Sequence, residues 1–340
     1  MIAERLTAQL LAGAPARDPV SVVQRLLAVQ GQNARGMRLA IRSRTTGLTA
    51  ADVDRALSEE RTLVVTWLNR GTLHLACSND YPWLHALTSP GLFTANTRRL
   101  AQEGVSPSGA ERALQVIERS LAEEGPLTRR QLAERIGAAG VPTEGQALIH
   151  LLGLASHRGL TVRGPMIGGQ QAYVLVRDWL GEQPSVDRDL ALAELARRYL
   201  LGHGPADQRD LARWSGLPLR DVRAGLQAIA TELIERGDGL LDLAARPSAA
   251  TMPPPPRLLG AFDPLLLGWC SREAILGTNR SIVTVNGIFR AFALVDGRAA
   301  ATWSMPGGEV ALEPFAELAP TDAEALAGDA RDVMRYLAGE

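Results

Sequence analysis

Two glutamines separated by a single glycine lie near the start of the chain, in the segment LLAVQGQNARGMRLAIRSR, which spans residues 26–44. Gln30 and Gln32 carry neutral carboxamides, which can both donate and accept hydrogen bonds. The arginines that follow carry planar guanidinium groups, which can donate two hydrogen bonds at once to a phosphate or a guanine edge. They are Arg35, Arg38, Arg42 and Arg44. Periodicity alone explains the same residues as the polar end of one helix and the basic face of the next, so the pattern by itself leaves both interpretations open.

Other catalytic patterns are missing from the sequence. It contains no GxSxG, Walker A, dinucleotide-binding GxGxxG or HExxH motif. The histidines do not occur at the i, i+4 spacing that chelates a metal on a helix; they are His74, His85, His150, His157 and His203. The two cysteines, Cys77 and Cys270, are far apart and lack a CxxC partner, so we expect reduced core residues. We predict neither a metal site nor a cofactor.

The composition is that of an ordinary globular protein. The 340 residues are 46% hydrophobic and 21% charged, which is enough for two or three domains with their own cores. The net charge of −1 excludes a protein that coats polyanions through bulk charge, but it allows a local basic face. Lysine is absent, a bias that we attribute to a GC-rich genome. Since no segment has the pattern of a membrane span or a signal peptide, we expect a cytoplasmic, nucleoid-associated protein.

An internal repeat is the strongest organising signal. Residues 125–137, GPLTRRQLAERIG, and residues 204–216, GPADQRDLARWSG, share a Gly-Pro start, a capping residue and a final glycine, which predicts a short helix in each copy. A second helix follows in both copies, as in a helix-turn-helix. The first copy continues with two β-rich runs around Gly168-Gly169, and the second with a weaker hairpin in ERGDGLLDLA. Hairpins after helix pairs favour winged helices; other helical repeats remain possible but would not supply the hairpins.

A third unit is predicted upstream of the two copies. Helical patterns occur around residues 2–12, 19–31 and 33–43 and in LTAADVDRALSEE, followed by a strand pair in TLVVTWLNRGTLHLA that turns near Asn69-Arg70-Gly71. Downstream of the stiff MPPPPR linker, β-type runs turn at Asn286-Gly287 and Asp296-Gly297, before a final helix at about 321–337. We predict an α+β fold, mainly α, with winged-helix units at 1–107, 108–186 and 187–250. A C-terminal β-rich module at 251–340 is predicted to pack against the last of them.

Several segments together resemble one known family. They are the Gln30–Gln32 segment, TWLNRGTLH at 66–74, LLGAFDPLLLGW at 258–269 and VNGIFRAFALVDGRAAATW at 285–303. The chain resembles, over nearly its whole length, the winged-helix DNA-binding family of AlkZ- and YcaQ-like DNA glycosylases. The resemblance implies three tandem winged helices that frame a concave, positively charged cleft for duplex DNA.

The resemblance also implies catalytic residues. The family's Gln-hydrophobic-Gln motif maps onto Gln30 and Gln32, and Gly31 departs from it because glycine loosens the backbone and offers no packing anchor. The YcaQ-like branch carries an aspartate at the second position, so Gln32 indicates the AlkZ-like branch. An N7- or N3-alkylated purine is already cationic and leaves without a strong acid. Two positioned amides could therefore hold the attacking water and stabilise the oxocarbenium-like transition state.

The remaining site residues are DNA-binding candidates. Arg35, Arg38, Arg42 and Arg70 are candidates for phosphate contacts or, alternatively, solvated charges; His74 is a candidate for orienting the backbone or a phosphate, or else a core histidine. Asp263 is interpreted as a turn-former. The leading hypothesis is a monofunctional DNA glycosylase for alkylated or crosslinked purines. The alternative is a non-catalytic winged-helix regulator. Regulators of that kind usually bind as dimers, whereas three units in one chain favour a monomer wrapped on duplex DNA.

Overall fold

The computed structural model describes residues 1–246, 248–250, 252–279 and 281–339. Their contacts divide the chain into two compact units. Unit 1 is Met1–Asp54 together with Leu192–Glu340, and unit 2 is Arg55–Ala191. Thr251, where the C-terminal module is predicted to begin, and Glu340, where it ends, lie outside the described residues. The four-segment division stays a prediction.

Helices and short strands alternate along the chain. The helices are α1 (Ile2–Ala8), α2 (Pro19–Leu26), α3 (Ala34–Arg42), α4 (Ala50–Ser58), α5 (Tyr81–Thr88), α6 (Phe93–Gln102), α7 (Pro107–Glu124), α8 (Arg129–Ala138), α9 (Ala147–His157), α10 (Val176–Trp179), α11 (Arg188–His203), α12 (Gln208–Ser215), α13 (Leu219–Ala228), α14 (Glu273–Leu276) and α15 (Pro320–Ala338). The strands are β1 (Val29–Gln30), β2 (Leu63–Leu68), β3 (Thr72–Cys77), β4 (Thr161–Ile167), β5 (Gln170–Leu175), β6 (Leu233–Glu235), β7 (Leu241–Leu243), β8 (Arg257–Leu259), β9 (Phe292–Val295), β10 (Arg298–Ser304) and β11 (Ala311–Pro314). The mixed helix and sheet content is that of the predicted class.

The repeat is visible as two capped helix pairs, each followed by a hairpin. Thr128 and Asp207 form reciprocal capping boxes that start α8 and α12, as the shared sequence frame predicts. Gly216 ends α12 in the left-handed conformation, with φ 78°. Helices α9 and α13 follow, and the antiparallel hairpins β4–β5 and β6–β7 come after them. The helix pairs and both hairpins are therefore confirmed.

Unit 2 is built on a strongly paired strand core. Strand β2 pairs with β3 in antiparallel register, with Leu63 opposite Cys77 and Leu68 opposite Thr72. The turn between them is Asn69–Gly71. This is the predicted strand pair. Within this unit the strands lie in the order β3-β2-β4-β5. One face packs against α7, α8 and α9, where aliphatic side chains surround Trp67 and Tyr173.

In unit 1 the last four strands form an antiparallel sheet in the order β11-β10-β9-β8. Both predicted turns occur. At Asp296-Gly297 both residues have positive φ. At Asn286-Gly287 the Gly287 amide donates a hydrogen bond to the Thr284 carbonyl. Leu39 of α3 shares a buried cluster with this sheet and with α15. The sheet therefore supports the helix that follows the Gln30–Gln32 segment. None of the described helices combines the length and the apolar character that crossing a membrane requires.

We expect Gly36→Ala to destabilise the protein by about 1–3 kcal/mol, the usual cost of overpacking. A Cβ built on Gly36 would lie 2.2 Å from the Ala261 carbonyl oxygen, which belongs to backbone and cannot swing away. Helix propensity alone predicts the opposite sign, because alanine favours a helix over glycine. Urea denaturation measures the difference. Gly237→Ala is the control, since nothing lies within 4 Å of its Cβ; equal stability of the two variants would contradict the expectation.

Candidate active site

Gln30 and Gln32 lie in the connection between α2 and α3. Helix α2 ends at Leu26, earlier than predicted, because Leu27 has φ 67° and cannot continue the helix. Gln30 then falls in the two-residue strand β1. The prediction of a second helix reaching residue 31 is wrong for this reason. An extended backbone directs the side chains of positions i and i+2 to the same side, which brings the two carboxamides together.

The two side chains differ in burial and bond each other. Gln30 is 6% exposed, whereas Gln32 is exposed to solvent. The Gln30 Nε2 amide donates a hydrogen bond to Gln32 Oε1. Gln30 Oε1 is buried and has no hydrogen-bond partner in the described part of the chain. A buried acceptor without a partner is costly in a native protein and therefore marks a possible functional site.

Helix α3 begins immediately after the pair. The Asn33 side chain caps it by accepting a hydrogen bond from the Gly36 amide at 2.7 Å. Two residues after Gly36, the Arg38 carbonyl accepts a hydrogen bond from the Tyr336 hydroxyl of α15 at 2.9 Å. Because Gly36 also packs directly on the Ala261 backbone, the segment that carries Gln32 is held firmly from its C-terminal side.

The three predicted arginines of α3 have different surroundings. Arg35 is exposed and, within the described residues, pairs with no carboxylate. Arg38 forms an ion pair with Asp54 and donates to the Ala34 carbonyl at 2.9 Å. Arg35 is thus the arginine of this helix best placed to meet a phosphate, and Arg38 could do so only in competition with Asp54.

Arg42 is part of the interior. Its side chain is 4% exposed and pairs with Asp329 and with Asp332, the latter at 2.8 Å. Burial disfavours its charge, but the hydrogen bonds to these two carboxylates raise the pKa of Arg42 overall. The predicted phosphate contact does not fit this arrangement, because the guanidinium already fastens α3 to α15. Sequence periodicity could not show this, since both partners lie far along the chain.

A second buried arginine was not among the predicted site residues. Arg44 and Asp263 are both fully buried and form two hydrogen bonds, at 2.8 and 2.9 Å. Asp263 also accepts the Leu265 amide at 2.9 Å, which confirms its interpretation as a turn-former. The pair fastens the end of α3 to the 261–266 loop that contacts Gly36.

The other two predicted site residues belong to unit 2. Arg70 is exposed in the turn between β2 and β3, with φ 38°. His74 is buried in β3, and its Nδ1 lies 2.9 Å from the Thr72 carbonyl. Burial, with a smaller contribution from Arg70, lowers the pKa of His74 to about 4. The ring is therefore neutral near pH 7, which favours the core-histidine interpretation over a phosphate contact.

The described residues contain no group of three or more histidine, cysteine or acidic side chains arranged to hold a metal ion. Of the two free cysteines, Cys77 is buried as predicted, whereas Cys270 is exposed. The prediction of a core position is wrong for Cys270, whose Sγ lies 3.4 Å from the Arg209 carbonyl.

Comparisons with known proteins identify the family and the fold. The family model for AlkZ-like DNA glycosylases matches residues 23–336, which include the Gln30–Gln32 segment. Among solved structures, DNA glycosylase AlkZ of Streptomyces sahachiroi has the same fold, with a TM-score of 0.77 at 23% identity. The similarity covers 98% of this chain and 95% of that one. No curated protein matches the sequence significantly. Since the family model spans nearly the whole chain, the protein belongs to the AlkZ-like DNA glycosylase family.

Proposed function

We propose that this protein is a monofunctional DNA glycosylase that hydrolyses the N-glycosidic bond of N7- or N3-alkylated purines, crosslinked ones included, in duplex DNA. The observation that carries the proposal is the hydrogen-bonded pair of Gln30 and Gln32, one buried with an unused acceptor and the other exposed. The family membership supports a glycosylase over a regulator.

Neutral amides are sufficient for this substrate class. An alkylated purine carries positive charge, so the electron pair of the C1′–N bond moves to the base and neutralises it without prior protonation. The transition state then places the positive charge on the sugar. Amide oxygens aimed at that charge stabilise it, and the same oxygens can hold the attacking water by accepting its hydrogen bonds. An undamaged base leaves as an anion, and this weak centre offers no acid to protonate it.

The two glutamines have different parts in this scheme. Gln30 is fixed by burial, and no described residue bonds its side-chain oxygen. Gln32 is exposed and can meet the sugar-phosphate backbone from solvent. Water oxygen bonds C1′ as the C1′–N bond breaks, and the proton of that water passes to solvent, because a carboxamide is too weak a base to keep it.

The DNA-binding frame in this proposal is three winged-helix units, 1–107, 108–186 and 187–250, arranged as a concave surface that one chain presents to duplex DNA. The winged helices at 108–186 and 187–250 are supported by two capped helix pairs, each of which is followed by a hairpin. The fold shared with AlkZ supports a mixed helix and sheet frame. Exposed Arg35 and Arg70 are the proposed phosphate contacts of the winged helix at 1–107.

Base release tests the proposal directly. A duplex that carries a single 7-methylguanine is incubated with excess protein, and free base is quantified by mass spectrometry. We expect release from the methylated duplex and none from the undamaged one. A protein that binds the duplex tightly but releases no base would be the non-catalytic regulator.

We expect the product strand to remain intact at the abasic site. Strand cleavage by a glycosylase uses a Schiff base between an amine and C1′, usually from lysine, and this chain contains no lysine. Arginine stays protonated and is not nucleophilic. The α-amino group of Met1 forms an ion pair with Glu4 at 2.8 Å.

Borohydride trapping on an abasic duplex measures this. We expect the yield of covalent protein–DNA adduct to be no higher than that of a lysine-free control protein. A stoichiometric adduct would contradict the expectation, and its loss after acetylation of the N-terminus would identify the amine responsible.

A further inference from the structure

Arg163 of unit 2 has no counterion among the residues that the structure describes. Its Nε is buried and has no hydrogen-bond partner within the described chain. The Nη1 atom of its guanidinium donates a long hydrogen bond, 3.3 Å, to the Gln171 carbonyl. No carboxylate among the described residues forms an ion pair with it. A partly buried charge without a counterion is unfavourable, so an anion that completed the site would bind favourably.

Aromatic rings fix the orientation of this guanidinium. Its Cζ lies 4.0 Å from the ring centroid of Tyr173 and 5.3 Å from that of Trp67. Both rings are buried, and they stack on each other at 6.5 Å. The three side chains occupy neighbouring strands, since Arg163 is the direct cross-strand partner of Tyr173. A planar fork held on rigid rings is preorganised for an anion with two oxygens, such as a phosphodiester.

A second arginine, Arg129, lies two residues after a backbone hydrogen-bond partner of Tyr173. Leu127 exchanges two backbone hydrogen bonds with Tyr173, at 2.8 and 3.2 Å, which places the start of α8 next to the aromatic pair. Arg129, the first residue of α8, is exposed and forms no ion pair within the described residues. Burial lowers the pKa of Arg163, and the positive charges of Arg129 and Arg163 lie close enough for Arg129 to lower it further.

The hairpin that carries Arg163 has no acidic side chain of its own. Residues 159–176, which comprise the β4–β5 hairpin and its flanks, contain no aspartate or glutamate. Its tip exposes Met166 and Ile167 next to two glycines. Helix α9, which precedes the hairpin, is buried from Leu151 to His157 and cannot enter a DNA groove. In this part of unit 2 the exposed hairpin tip and the exposed start of α8 therefore remain as surfaces that a nucleic acid can reach.

We propose that Arg129 and Arg163 form a phosphodiester-binding site at the base of the β4–β5 hairpin, through which unit 2 holds the backbone of duplex DNA. This inference rests on the proposed function only in taking duplex DNA as the partner. It does not involve Gln30, Gln32 or base release.

Salt dependence of binding tests the site. Affinity for an undamaged fluorescent duplex is measured by anisotropy between 50 and 200 mM chloride, where each lost phosphate contact lowers the slope of log K against log salt by about 0.9. We expect Arg129→Gln and Arg163→Gln each to lower the slope by about that amount. Arg163→Lys is expected to keep the slope, because it keeps the charge, but to bind less tightly, because an ammonium does not reproduce the stacked fork. Arg158→Gln is the matched control, since Arg158 is an exposed arginine paired with Glu111.

Unchanged slopes in variants that melt like the wild type would overturn the site. Arg129→Gln alters only an exposed side chain, so it remains informative if Arg163→Gln does not fold. Sodium phosphate at constant ionic strength distinguishes the anion source. If phosphate stabilises the wild type against heat while the DNA slope is the same in all variants, the site binds free phosphate and the assignment to DNA is wrong. A wild type that binds DNA but releases no base refutes the proposed function alone and leaves this test intact.

Discussion

Gln32→Ala is expected to lower the single-turnover rate of base release by about 10²–10³-fold, the usual effect of removing one preorganised polar group from a transition-state site. The Gln32 side chain is exposed and accepts a hydrogen bond from Gln30. Its loss therefore leaves the fold intact. Affinity for the methylated duplex should change no more than a few-fold, because the amide acts on a water and a sugar cation and not on phosphates.

Gln30 requires a different substitution because it is buried. Gln30→Met keeps the length of the side chain and removes its hydrogen bonding, so a loss of activity cannot be attributed to a cavity. We expect it to match Gln32→Ala in rate. Gln24→Ala, which removes an exposed glutamine from α2 of the same unit, is the control and should be fully active. Parallel losses of binding and excision in the Gln30 and Gln32 variants would show that the pair is structural.

The parts of the fold that sequence predicts well are those fixed by local chemistry. Thr128 and Asp207 cap helices through hydrogen bonds to residues no more than three positions away, so the repeat can be recognised without knowing the fold. The turn at Asp296-Gly297 is likewise set by two residues that tolerate positive φ. Glutamine spacing in an extended segment is also local, and it is this spacing that lets Gln30 bond Gln32.

The parts that sequence could not predict depend on distant partners or on strain. Arg35 and Arg42 look equivalent in a basic amphipathic helix, yet one is exposed and the other pairs with Asp329 and Asp332. No local rule separates them. Leu27 ends α2 with positive φ, a conformation that leucine adopts only when the surrounding structure enforces it. Arg163 shows the same limit, since its lack of a counterion is visible only once the strands are paired.

Asp263→Ala is expected to lower the free energy of unfolding by about 3–5 kcal/mol, the typical cost of leaving one member of a buried ion pair without its partner. Arg44 would keep its bonds to the Ala40 and Gln9 carbonyls, at 2.9 and 2.8 Å, but they do not neutralise a charge that has no access to water. The Leu265 amide would lose its acceptor as well. Urea denaturation followed by circular dichroism gives the difference.

The partly exposed pair of Arg38 and Asp54 provides the comparison within the same helix. Its carboxylate side chain is 38% exposed, so Asp54→Ala should cost about 1 kcal/mol or less. The double variant Arg44→Met/Asp263→Ala should be more stable than the two single losses added together, because the methionine removes the charge that the alanine leaves unpaired. If the losses of unfolding free energy are additive, the two side chains stabilise the protein separately, through packing and the turn. The ion pair then does not fasten the end of α3 to the 261–266 loop.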